Sequence, residues 1–174
     1  VETFSAGLVR PVKSVEQPSQ PTIQSIQGGL PIMAIIGKWY KFEAAHKLDH
    51  HKGKCKNLHG HSYQICVSLE GIIQSPGEAS DAGMVLDYDE IDQIVDPLVV
   101  HSLDHKYLNE SLGGDFPTTA ENIACWIFNT VQKDINRKFG ARVVIKSVVV
   151  HETSSTYAEV FMEDWVKWLS DFPS

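Results

Sequence analysis

The chain has 174 residues, of which 43% are hydrophobic and 21% charged, and a formal net charge of −7. Length and composition suit one globular domain with a buried core. The acidic balance argues against a nucleic-acid partner, and no apolar run reaches the ~20 residues of a membrane span.

Residues 1–32 hold four of the eight prolines (Pro11, Pro18, Pro21 and Pro31) among Ser, Gln and Gly. No helical or strand period persists there, so this stretch is expected to be an extension outside the core, with a single domain over 33–174. Residues 38–46 alternate Tyr40, Phe42 and Ala44 against Trp39, Lys41, Glu43 and Ala45, which predicts a strand. The polar stretch 47–57 with Gly53 reads as a loop. Residues 59–71 read as a second strand with His61, Tyr63, Ile65, Val67 and Leu69 on one face.

Helical spacing begins at 88–95 with Tyr88, Ile91, Ile94 and Val95. Asp96-Pro97 is expected to interrupt it, with Asp96 capping a restart over 97–102. Thr118-x-x-Glu121 has the form of a capping box, and Ile123, Ile127, Val131 and Ile135 then recur every four residues. Residues 142–151 and 156–161 read as strands, and 163–169 as a short helix. The order β-β-α-α-β-β predicts an α+β domain with helices on one face of the sheet.

His59-Gly60-His61 places two imidazoles on one side of a strand. If strands 38–46 and 59–71 pair as a hairpin, His46 converges on them. Three neutral imidazoles leave zinc its full charge and an open fourth position, the pattern of a catalytic site. An HxH pair also occurs as mere strand decoration, so the neighbouring residues carry weight. Cys55 sits among Lys52, Lys54 and Lys56, where positive charge favours the thiolate. Cys66 and Cys125 lie in apolar periodic segments and read as inert core thiols. Three cysteines without a CxxC pair exclude a cysteine zinc finger and argue against a disulfide framework. With no basic-then-apolar leader, a cytoplasmic location is expected. Asp104-His105 can form a carboxylate–imidazole pair or simply end a helix. His101 reads as structural. Glu152, at a strand end, is either a solvated terminus or a carboxylate at a pocket mouth.

Taken together, FEAAH at 42–46, CKNLHGHSY at 55–63, GMVLDYDEI at 83–91, LDHKYLN at 103–109, TAENIACWI at 119–127 and HETSSTY at 151–157 resemble the family of 6-pyruvoyl- and 6-carboxy-tetrahydropterin synthases. The resemblance implies a tunnelling fold (T-fold), a four-stranded antiparallel sheet with two helices on one face. It also implies a homo-oligomer, with a hexamer favoured, whose sites lie at subunit interfaces. By the family pattern His46, His59 and His61 bind Zn²⁺, Cys55 is the catalytic thiol, and Asp104 with His105 forms an acid/base pair. Glu152 anchors the pterin ring, with Thr153 and Thr119 near it. The C-x3-HGH spacing resembles the carboxy type of the queuosine pathway. The implied reaction takes 7,8-dihydroneopterin triphosphate to 6-carboxy-tetrahydropterin, acetaldehyde and triphosphate, with Lys52, Lys54 and Lys56 as candidates to meet the triphosphate. His151 departs from many members, as do the extension and the Trp-rich tail. The competing readings are the pyruvoyl reaction, a zinc-water hydrolase, and a non-enzymatic binder of pterin or zinc.

Overall fold

A computed structural model describes residues 30–171, so most of the predicted 1–32 extension lies outside the described residues. A long antiparallel hairpin organises the domain. β1 (Met33–His46) and β2 (His59–Ile72) pair without a break from Met33↔Ile72 to His46↔His59. Tyr40, Phe42 and Ala44 of β1 and Tyr63, Ile65, Val67 and Leu69 of β2 are buried on one face, as their period-two spacing requires.

α1 (Tyr88–Val95) follows, with the Asp87 carboxylate accepting from the Asp89 amide as its cap. The expected break at Asp96-Pro97 does not occur. Asp96 keeps helical dihedrals, and the chain widens through a π-type turn over Asp96–Val100, in which the His101 amide donates to the Asp96 carbonyl. The missing N–H of Pro97 and the bulk of its ring are absorbed by the wider turn, and Asp96 caps nothing. A last turn, α2 (His101–Leu103), leads to β3 (Lys106–Tyr107) and α3 (Leu108–Ser111). His101 is exposed.

α4 (Ala120–Phe139) lays Ile123, Ile127, Phe128, Val131 and Ile135, all fully buried, onto the sheet. Its cap is Thr119, whose hydroxyl oxygen accepts from the Asn122 amide. The predicted box of Thr118 with Glu121 is therefore displaced by one residue. Thr118 is buried beneath the site, and Glu121 is released from capping. Gly140 ends the helix at φ 60°, a left-handed conformation that favours glycine.

β4 (Val143–Thr153), β5 (Thr156–Phe161) and α5 (Met162–Asp171) complete the domain. A bulge between Ser68 and Leu69 shifts the β4 register, so burial runs Val143, Ile145, then Val148 and Val150. The sheet order is β3-β1-β2-β4-β5. It has five strands rather than the expected four, because β3 adds a two-residue parallel edge through Ala44↔Lys106 and Ala45↔Tyr107. No helix among the described residues is long and apolar enough to cross a membrane.

Two substitutions test this packing by urea unfolding. Ile127→Ala is expected to cost about 2–5 kcal/mol, because the site is fully buried. Thr119→Ala is expected to cost about 1 kcal/mol through loss of the cap.

Candidate metal centre and adjoining clefts

The β1–β2 register places His46 opposite His59, with His61 one side-chain repeat further along the same face. Among the described residues these three histidines present ligand atoms within 4.8 Å of one another. Backbone carbonyls orient each ring. His46 Nδ1 donates to the Thr118 carbonyl at 2.7 Å, and His59 Nδ1 donates to the Asn57 carbonyl at 2.8 Å. His61 bonds the Glu152 carbonyl. Such outer-shell bonds select the tautomer that leaves the other ring nitrogen as a lone pair.

For His46 and His59 those lone pairs are the two Nε2 atoms, 3.1 Å apart. With no proton between them, the pair is repulsive unless a cation intervenes. Two nitrogens bound tetrahedrally to zinc at ~2.0–2.1 Å stand about 3.3 Å apart, so the donor set fits zinc. The next residue in the row, Tyr63, packs its ring edge-on to His46 and His61 and stacks on Phe42 at 5.0 Å. Its hydroxyl is buried with no hydrogen-bond partner.

Thr118 and Asn109 brace the strand end. Asn109 bonds both the amide and the carbonyl of Lys47 at 3.0 Å, and the Thr118 hydroxyl donates to the same carbonyl at 3.3 Å. Neither residue was expected at the site. Asn109 closes LDHKYLN and Thr118 directly precedes TAENIACWI, so a polar residue buried beside each motif was the available signal.

Glu152 ends β4 beside the histidines. Burial raises its carboxyl pKa, the charges of His46 and His59 oppose that rise, and Glu121 adds to it. Glu152 and Glu121 line one cleft of about 270 Å³ with Thr119, Ala120, Leu48, Thr156 and Tyr157. Thr119 thus shares the Glu152 cleft. Thr153 is exposed and turned into the β4–β5 hairpin, where its hydroxyl bonds Thr156 at 2.7 Å. Thr156 and Tyr157 line the cleft, and Thr153 does not.

Cys55 sits partly buried in a short turn (Lys54–Lys56), and its carbonyl accepts from the Leu48 amide at 2.8 Å. Lys52, Lys54 and Lys56 are exposed. A larger cleft of about 400 Å³ is lined instead by Lys47, His50 and His51 together with Asp49 and Asp115. Cys66 and Cys125 are buried, and burial pushes both thiols up, Cys125 to about 11. They are the inert thiols expected.

Asp104 and His105 do pair, with Oδ2 and Nδ1 2.9 Å apart. The Glu43 backbone holds both: its amide donates to Asp104 Oδ1 at 2.8 Å, and its carbonyl accepts the His105 amide. His105 takes φ 56°, a left-handed conformation uncommon outside glycine. The Glu43 amide and then the imidazole lower the Asp104 pKa. This pair stands apart from Glu152, however. His105 lines a cleft with His61 of the histidine cluster, and with Glu43, Ala45, Gly60, Ser62 and Tyr107 among others. Glu43, Ala45, Gly60 and Ser62 alternate with the buried residues and so belong to the sheet face away from α4. Glu152 does not line this cleft, so His105 and Glu152 open on separate clefts within one chain.

The architecture is that of a T-fold domain carrying a three-histidine cluster that could hold a metal ion. The family model described as 6-pyruvoyl tetrahydropterin synthase matches residues 35–163, and the chain belongs to that family. It is 42% identical over 130 residues to a Synechocystis protein named 6-carboxy-5,6,7,8-tetrahydropterin synthase, covering 74% of this chain and 94% of the relative. It is 31% identical over 143 residues to a Haemophilus influenzae protein of the same name, covering 71% and 96%. The structure of Caenorhabditis elegans 6-pyruvoyl tetrahydropterin synthase superposes with a TM-score of 0.64 at 23% identity, over 75% of this chain and 96% of that one. It supports the fold.

Burial lowers the pKa of His46. It lowers that of His61 too, where the neighbouring His59 adds to the effect. The unfolded chain therefore takes up protons more readily than the folded one. The stability these rings contribute is full above the ordinary histidine pKa of about 6.5 and is lost as pH falls through it. The urea midpoint of the metal-free protein is expected to drop below about pH 6.5, and His46→Gln is expected to flatten that drop.

Proposed function

We propose that this chain is a zinc-dependent lyase that converts 7,8-dihydroneopterin triphosphate and one water to 6-carboxy-tetrahydropterin, acetaldehyde and triphosphate, in service of queuosine biosynthesis. The observation that carries the proposal is a three-histidine centre directly beside a carboxylate-lined cleft. The names borne by the 42% and 31% identical relatives favour the carboxy product, as does the C-x3-HGH spacing of Cys55 and His59.

His46, His59 and His61 would hold the metal. Bound there, zinc would supply Lewis-acid polarisation of the substrate's side-chain hydroxyls and acidify the C–H bonds beside them. Glu152 faces the cleft and accepts the N–H donors along the amino-pyrimidine edge of the pterin, while Thr119 offers a hydroxyl on the opposite wall. Cys55 acts as the base that removes a side-chain proton. His105, oriented by Asp104, exchanges the second proton. The separation of the His105 cleft from the Glu152 cleft supports a homo-oligomer in which each copy lends its Asp104–His105 pair to a neighbour's pterin site.

Product analysis of the zinc-loaded protein with 7,8-dihydroneopterin triphosphate tests the reading. Carboxy-tetrahydropterin with acetaldehyde is expected. A pyruvoyl product would assign the sister reaction, and substrate returned unchanged by a zinc-loaded oligomer would overturn the proposed activity. Cys55→Ala is expected to lower kcat by at least about 10²-fold while zinc content, measured by metal analysis, stays at the wild-type ratio. That separates an enzyme from a protein that only binds zinc.

A further inference from the structure

The family match ends at residue 163, so α5 lies almost wholly outside it. α5 nonetheless reaches the wall of the Glu152 cleft. Trp168 Nε1–H donates to Asn122 Oδ1 at 3.0 Å. With its oxygen so engaged, the Asn122 amide turns its Nδ2 toward Thr119 and donates to Oγ1 at 3.1 Å, and the Asn122 backbone amide donates to the same oxygen at 3.4 Å. Thr119 thus takes two bonds from one side chain and backbone, and the orientation of that side chain is set by α5. Thr119 and Glu121, from the start of α4, line the cleft together with Glu152.

The second tryptophan on α5 behaves differently. Trp165 stacks on Phe128 with centroids 4.9 Å apart and planes at 18°, yet its Nε1 is buried with no hydrogen-bond partner among the described residues. One tryptophan fastens α5 to α4 by ring packing. The other carries a directional bond into the first turn of α4.

We propose that Trp168 is a positioning residue, which sets the cleft wall formed by Thr119 and Glu121 through its hydrogen bond to Asn122. A loose Asn122 amide would free Thr119 Oγ1 to rotate and would let the first turn of α4 fray, moving both cleft groups. The ligand half of the proposal rests on reading this cleft as the pterin ring site; the structural half does not.

The two tryptophans supply the test, each replaced by phenylalanine in the full chain. Trp168→Phe keeps an aromatic ring but removes a bonded N–H. Trp165→Phe removes an N–H that has no partner. Hydrogen exchange at the Asn122 and Ile123 amides is the first readout. Trp168→Phe is expected to speed it about five-fold, the effect of losing one hydrogen bond of ordinary strength, and Trp165→Phe is expected to leave it unchanged. Kinetics with 7,8-dihydroneopterin triphosphate are the second readout. Trp168→Phe is expected to raise KM about five-fold with kcat within about two-fold. Wild-type exchange in Trp168→Phe, or equal acceleration in both variants, would overturn the proposal. If the wild-type protein does not turn over this substrate, the failure belongs to the functional reading, and the exchange comparison alone decides the role of Trp168.

Discussion

The register of the β1–β2 hairpin is the constraint on which the molecule depends. His46 meets His59 because Met33 meets Ile72 and every pair between them keeps step. Side chains alternate with a period of two, so a slip of one residue would carry His59 and His61 to the other face. It would also expose Tyr63, Ile65, Val67 and Leu69 together. Core burial and metal-ligand geometry therefore share one determinant. The apolar residues of β2 hold the two histidines in place as firmly as any contact the rings make themselves.

The carbonyls around the rings add a second level of control. Thr118 and Asn57 hold the Nδ1 protons of His46 and His59, which turns the Nε2 lone pairs toward each other. Burial disfavours the charged forms of His46 and His61, so the cluster stays neutral, and that preference costs stability only where the pH falls below the ordinary histidine range. Tyr63 adds a cost of its own with a hydroxyl buried and unpartnered beside the same rings. Conflict of this kind between local comfort and placement is what a functional site leaves in an otherwise consistent fold.

The hairpin, the α4 stripe, the inert thiols Cys66 and Cys125, and the convergence of His46, His59 and His61 were legible in the sequence because each follows from periodicity or burial. The parts that were not legible depend on geometry that a pattern does not encode. β3 is two residues long and exists only because the edge of β1 is open to it, so it has no period to read. Thr118 and Thr119 are adjacent and both suit a cap. Burial of Thr118 under Lys47 assigns that role to Thr119, and Glu121 turns to the cleft in consequence. Pro97 signals a break in any helix, but a turn closed from residue 101 to residue 96 passes it without one. Adjacency left Asp104 and His105 open between an ion pair and a helix end, and only the folded chain brings them to 2.9 Å and sets His105 in a cleft separate from that of Glu152.

The separate clefts of His105 and Glu152 have a genetic consequence under the proposed assembly. In an assembly whose catalytic centres each combine the histidines and Glu152 cleft of one copy with the Asp104–His105 pair of another, a chain lacking His59 and a chain lacking His105 are defective for different reasons. Mixed in one ring, they would create some junctions where both intact halves meet. Two alleles that are each null alone would then restore partial activity together, whereas two lesions in the same half would not.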